Sequence, residues 1–119
     1  MHTQRPREPA HDPQDLERLL VARQHAGDVE GMVALYESDA VIDVGGGELV
    51  VGTAAIRALF AGYLAAGRRF EIGWQQPPIR AGDLAMTSTR LPDGVVTVEV
   101  ARRQRDGTWL WVIDRFSAA

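Results

Sequence analysis

Residues 26–57 read AGDVEGMVALYESDAVIDVGGGELVVGTAAIR, and the order of elements in this stretch decides the fold. Asp28 follows Gly27 as the cap of a short helix in which Val29, Met32, Val33 and Tyr36 fall at i, i+3, i+4 and i+7. That helix is expected to end near Glu37-Ser38-Asp39. Residues 40–44 then read as a short strand, and Gly45-Gly46-Gly47 as a turn into a second extended piece over 48–51. The three glycines lack the strand-to-helix context of a phosphate loop, so they are read as a turn only. Thr53 is expected to cap a further helix, whose apolar stripe of Ile56, Leu59, Phe60, Tyr63 and Leu64 closes at Gly67.

Upstream, Asp12-Pro13-Gln14-Asp15 carries an N-cap acid, a Pro at the first helical position and a second acid in the first turn. It opens a helix with Leu16, Leu19, Leu20 and Arg23 on one stripe, stopped by Gly27. Residues 1–11, with two Pro and no large apolar side chain after Met1, are expected to be a flexible lead-in, leaving 12–119 as one domain. Downstream the chain reads as strand. Phe70, Ile72 and Trp74 alternate up to Pro77-Pro78, then strands are expected over about 84–91, 95–105 and 108–117, separated by Pro92-Asp93-Gly94 and Asp106-Gly107. Three helices, a small strand pair between the second and third, and a four-strand antiparallel meander make an α+β domain.

The chain has 119 residues and contains no Cys, Lys or Asn, so all thirteen basic residues are Arg. Disulfides, thiolate nucleophiles, Schiff-base lysines and Asn-linked glycans are thereby excluded. A formal charge of −3 leaves no basic footprint for nucleic acid. No apolar run reaches the roughly 18 residues of a membrane span and the N-terminus lacks a secretion-signal pattern, so a cytoplasmic location is expected. Three His at 2, 11 and 25 are too scattered for a metal site, and His25 suits the C-terminal end of the first helix as a cation. No cofactor is expected.

The strings Ala26-Gly27-Asp28-Val29-Glu30-Gly31-Met32-Val33-Ala34-Leu35-Tyr36, Asp39-Ala40-Val41-Ile42-Asp43 and Val51-Gly52-Thr53-Ala54-Ala55-Ile56-Arg57 carry a family resemblance, supported by Asp106-Gly107-Thr108-Trp109 and Val112-Ile113-Asp114. In this order of elements they resemble the SnoaL-like and ketosteroid-isomerase-like branch of the nuclear transport factor 2-like superfamily. The resemblance spans about residues 13–117. It implies a cone, in which a curved sheet wraps around the helices and leaves an apolar pocket, and commonly a homodimer through the outer sheet face. The superfamily holds isomerases, cyclases, epoxide hydrolases, dehydratases and non-catalytic members, so individual residues must decide the chemistry.

Asp114 leads. Strict alternation puts Leu110, Val112, Asp114 and Phe116 on one face of the last strand and Trp109, Trp111 and Ile113 on the other, one face lining a pocket and the other meeting a partner. A carboxyl group among such neighbours is poorly solvated and suited to acid/base work. The resemblance makes Asp114 the counterpart of the acid/base of polyketide cyclases; the competing reading pairs it with Arg90 or Arg102. The resemblance puts Asp43 close to the general-base position of the isomerases; counted from Ala40 that position falls on Val44, so Asp43 is either the base or its neighbour, and the competing reading is a turn acid capping the glycine loop. The isomerase oxyanion hole is not reproduced, because its Tyr position holds Leu20 and its carboxyl position falls near Ala101, with Glu99 two residues away. An Asp-Arg-Asp set of the epoxide-hydrolase kind is matched only in part by Asp43, Arg90 or Arg102 and Asp114, with no Asn to complete it.

The sequence therefore predicts a homodimeric protein that binds a small, largely apolar metabolite, with Asp114 and Asp43 as catalytic residues. Leu20, Tyr36, Phe60, Tyr63, Glu99, Val112 and Phe116 are expected to line the pocket. The reaction class is cofactor-free proton transfer, as in isomerisation, cyclisation or dehydration. The alternative is a non-catalytic ligand-binding or dimerisation module of the same fold.

Overall fold

The computed structural model describes residues 6–117. Its helices are α1 (Asp15–His25), α2 (Val29–Val33) and α3 (Thr53–Ala65). The Asp12 carboxylate accepts the Gln14 amide at 3.0 Å, and Asp15 reaches back to the amides of His11 and Asp12, each at 3.1 Å. Two acids thus satisfy amides at and just ahead of the start of α1 that lack a helical partner. Gly27, at φ 68°, ends the helix. There the Asp28 amide bonds the Arg23 carbonyl and the Gly27 amide bonds that of Gln24, the pair that defines a Schellman end. α3 closes identically at Gly67, with the Arg68 amide on the Tyr63 carbonyl. Its N-cap is Gly52 rather than Thr53, because the chain leaves the preceding strand through a φ of 86° that only glycine adopts readily.

Seven strands, β1 (Tyr36–Gly45), β2 (Glu48–Val51), β3 (Trp74–Gln75), β4 (Ile79–Ala81), β5 (Leu84–Arg90), β6 (Val96–Arg103) and β7 (Trp109–Arg115), form one sheet. The order is β2-β1-β7-β6-β5-β3, with β4 also paired to β5. Neighbours are antiparallel except β1 and β7, which run parallel. That pair shortens the second helix: Tyr36 lies opposite Trp111, and the Trp111 amide bonds the Leu35 carbonyl at 2.8 Å, so the chain is already strand where helical spacing predicted helix. Tertiary pairing outweighs a weak local preference here. The strand expected across Phe70, Ile72 and Trp74 shrinks to Trp74–Gln75, because the backbone at 68–70 is bonded by side chains of α1 instead of by a strand.

The lead-in also differs from expectation. Ala10 is buried and its carbonyl accepts the Trp109 amide at 2.9 Å, while Arg7 pairs with Asp28 and Glu8 with Arg18. Residues 7–10 therefore contact the packed domain; residues 1–5 of the expected lead-in lie outside the described residues. No helix among the described residues is long and apolar enough to cross a membrane.

Register sorts the sheet into two faces. Ile42, Asp114, Glu99 and Thr87 lie directly opposite one another across β1, β7, β6 and β5, and all four are buried on the face toward the helices. The neighbouring row Val51, Val41, Ile113, Val100, Met86 and Ile79 crosses six strands on the opposite face. Alternation fails at one place in β7: Ala101 faces Trp111 but Val100 faces Ile113, so Val112 is an extra residue in a β-bulge. The bulge turns Trp109 and Trp111 into the core together with Asp114, correcting the expectation that they lie on opposite faces. Trp111 packs on Tyr36 at 5.0 Å between ring centroids, and Tyr36 on Phe60 at 5.7 Å. Leu16, Ile56, Phe60 and Trp111 are almost wholly buried, each worth about 1.5–3 kcal/mol of apolar transfer.

Candidate functional site

A cavity of about 310 Å³ lies between α1, the helix-facing side of β6 and β7, and the segment following α3. Its size is at the lower end of small-molecule sites, which start at roughly 300 Å³. Gln24, buried on α1, fixes one wall: its amide nitrogen donates to the Arg68 carbonyl at 2.6 Å and its oxygen accepts the Phe70 amide at 3.0 Å. His25 adds a contact to the Phe70 carbonyl at 2.6 Å, in which the ring N–H donates. Arg68, the first residue beyond the Schellman end of α3, lies 4.4 Å above the Tyr63 ring.

Five acids line this cavity: the exposed Glu71 and Asp93, and, shielded from solvent, Asp114 on β7, Glu99 opposite it on β6, and Glu17 on α1. Asp114 is 3% exposed, and Tyr36 donates its phenol proton to Oδ2 at 2.5 Å. Burial, then the charge of Glu99, pushes Asp114 well above the usual carboxylate range, against the pull of the Tyr36 hydrogen bond. Burial also raises the Tyr36 hydroxyl well above its ordinary value, so it remains a donor. Glu99 is 2% exposed; burial raises it, and Thr87 donates to Oε1 at 2.8 Å. The Thr97 hydroxyl is a second partner of this carboxyl group, and with Thr87 it works against the rise. Glu17 is pushed up to about 7 by burial and then by the charge of Glu99. These three therefore hold their protons more tightly than ordinary surface carboxylates do, and Glu17 exchanges its proton near neutral pH.

Of the residues expected at the pocket, Leu20, Glu99, Asp114 and Phe116 line it. Tyr36 stands behind Asp114 and acts on the cavity through it, and Phe60 is a core residue behind Tyr36 and Phe70. Tyr63 packs against Phe70 and Phe116 outside the lining, and Val112 is displaced from it by the bulge. Asp43 is not brought to the cavity. It neighbours Ile42, which faces the helices, so alternation turns it outward, where it accepts from Arg115 at 3.1 Å and from the Gly45 amide at 2.9 Å. The isomerase-like role is therefore corrected to that of a turn acid. Arg102, considered as a partner of Asp114, instead pairs with Glu37.

Glu17 was not anticipated. Its signal was spacing: Glu17, Leu20 and Gln24 stand one turn apart, and all three contribute to the cavity or its wall.

The profile of the SnoaL-like domain family matches residues 16–118, and the chain belongs to that family. No curated protein sequence matches the chain. Among solved structures, a putative calcium/calmodulin-dependent protein kinase type II association domain from Thiobacillus denitrificans is 22% identical, with a TM-score of 0.67 over 93% of this chain and 96% of that one. A ketosteroid isomerase-like protein from Erwinia carotovora atroseptica is 15% identical, with a TM-score of 0.65 over 86% and 89%. A nuclear transport factor 2-like (NTF2-like) protein with a cystatin-like fold from Novosphingobium aromaticivorans is 20% identical, with a TM-score of 0.61 over 85% and 75%. At these identities the likeness is one of fold.

Proposed function

We propose that this protein binds a small, largely apolar metabolite in the cavity and moves a proton at one of its carbons without a cofactor, with Asp114 as proton carrier. The observation that supports this is the placement of Asp114: buried at the cavity wall, raised in proton affinity, and held by Tyr36 through one oxygen. Oδ1 makes no hydrogen bond among the described residues and is the oxygen left for substrate. Isomerisation, cyclisation and dehydration all need one group that takes a proton and returns it nearby. Incubating the protein with small cyclic ketones in D2O, followed by NMR of the ketone, tests the reading. Deuterium incorporation beside the carbonyl should fall by about 10²-fold or more in Asp114→Asn; equal incorporation in the two proteins overturns it.

A second reading, a non-catalytic association module, is favoured by the outward row from Val51 to Ile79, in which Ile113 is 48% and Met86 44% exposed. Both readings accommodate a cytoplasmic homodimer through this sheet face. Sedimentation of Ile113→Glu beside the parent chain separates dimer from monomer.

A further inference from the structure

Among the described residues, most arginines outside the cavity, Arg7, Arg18, Arg57, Arg80, Arg102 and Arg115 included, pair with an acid within 3.1 Å. Arg7 and Arg57 each grip both oxygens of one carboxylate. Arg68 and Arg69, which line the cavity, have no ion pair among the described residues. Arg68 is nonetheless held in place. Its amide bonds the Tyr63 carbonyl at 3.0 Å, its carbonyl accepts the Gln24 side chain at 2.6 Å, and its guanidinium carbon lies 4.4 Å from the Tyr63 ring centroid and 5.7 Å from that of Phe70. A guanidinium stacked on a ring keeps its N–H donors along its own planar edge. Those of Arg68 make no hydrogen bond among the described residues. The acids around the cavity are engaged elsewhere: Asp93 accepts the Val95 amide at 3.0 Å, Thr87 and Thr97 bond Glu99, and Tyr36 bonds Asp114.

We infer that the ligand of this cavity carries a carboxylate, bound by the Arg68 guanidinium with Arg69 beside it, on an apolar body that packs against Leu20, Phe70 and Phe116. This rests on the cavity being a small-molecule site, as proposed above, and names the class of molecule. A planar carboxylate matches two parallel N–H bonds from one guanidinium edge, the pairing Arg7 and Arg57 already make. Because Arg68 is stacked before the ligand arrives, less side-chain freedom is lost on binding than a solvated arginine would lose. The rim acids Glu71 and Asp93 are exposed, so water screens their repulsion, whereas the carboxylate touches the guanidinium directly. Burial raises the inner acids Glu17, Glu99 and Asp114, so each opposes an anion less than an ordinary carboxylate would. With its carboxylate at the exposed Arg68, the ligand extends its apolar body inward, toward the proton carrier Asp114.

Isothermal titration with cyclohexanecarboxylate, cyclohexylmethanol and cyclohexylmethylamine tests this, at about pH 6, where an alkyl carboxylate is ionised and Glu17, at about 7, keeps most of its protons. The carboxylate should bind at least about tenfold more tightly than the alcohol, with the amine weakest. Arg68→Gln should weaken the carboxylate by at least about tenfold and leave the alcohol within about twofold, the latter showing that the cavity remains intact. Arg105→Gln, which removes an exposed arginine between β6 and β7, should change neither. The inference is overturned by a carboxylate that fails to bind or binds no better than the alcohol, or by an amine that binds more tightly than the carboxylate. It is equally overturned if Arg68→Gln keeps the carboxylate or weakens both ligands alike, or if Arg105→Gln weakens the carboxylate as much. Ketone exchange lost in Asp114→Asn alongside any of these results sinks the carboxylate alone; carboxylate preference without exchange sinks the proton-transfer reading alone.

Discussion

The hydrogen bond from Tyr36 to Asp114 joins two residues 78 positions apart and sets what the carboxyl group can do. It steadies one oxygen and holds down a proton affinity that burial alone would raise further. Tyr36→Phe should therefore raise Asp114 still more and destabilise the fold by about 1–3 kcal/mol, because a buried acceptor loses its donor; a denaturant titration of the variant beside the parent chain checks the second half. Asp114 was legible in the sequence because it stands among apolar residues of a strand. Tyr36 was legible as an apolar-face residue but was assigned to a helix, since the spacing of Val29, Met32, Val33 and Tyr36 fits one and the pairing with Trp111 is invisible locally. Glu17 looked like any acid in a helix's first turn, and only the rotation of α1 against β6 gives it a role. Asp43 illustrates the limit from the other side: one residue of register separates an outward turn acid from a cavity wall.

Between α3 and β3 the chain has few backbone partners of its own, and the cavity wall depends on how this segment is anchored. Gln24 and His25 hold its start, and Gly73 lets its end approach β5. A Cβ at residue 73 would sit 2.5 Å from the Arg90 carbonyl oxygen, backbone that cannot swing aside. Gly73→Ala should separate β3 from β5 at a cost of about 1–3 kcal/mol and speed hydrogen exchange in the 70–75 backbone; exchange unchanged there would contradict the anchoring. Helix ends were readable because Gly27 and Gly67 announce Schellman turns, and hairpins because Pro92-Asp93-Gly94 and Asp106-Gly107 mark them. The bulge at Val112 was not, because an inserted residue leaves composition unchanged while reversing every later side chain of β7.

For the molecule as a whole, two sets of acids act on stability in opposite senses. Asp28 and Glu30, lowered by hydrogen bonds to Arg7 and Arg57, contribute stability that is lost on acidification below the ordinary carboxylate range. Glu17, Glu99 and Asp114 are raised, so the folded chain binds more protons than the unfolded one between ordinary carboxylate values and, for Glu17, about 7. The slope of stability against pH is then negative, and thermal midpoints should fall as pH rises from 5 to 8. Glu17→Gln should flatten that fall; an unchanged or rising profile in the parent chain would contradict the burial of the three acids. The most direct test of the account reads the carboxyl group itself: a 13C NMR titration of the Asp114 side chain in the ligand-free protein. The account predicts that Asp114 loses its proton well above the pH at which ordinary aspartates lose theirs; titration near the usual aspartate value of about 4 would contradict it.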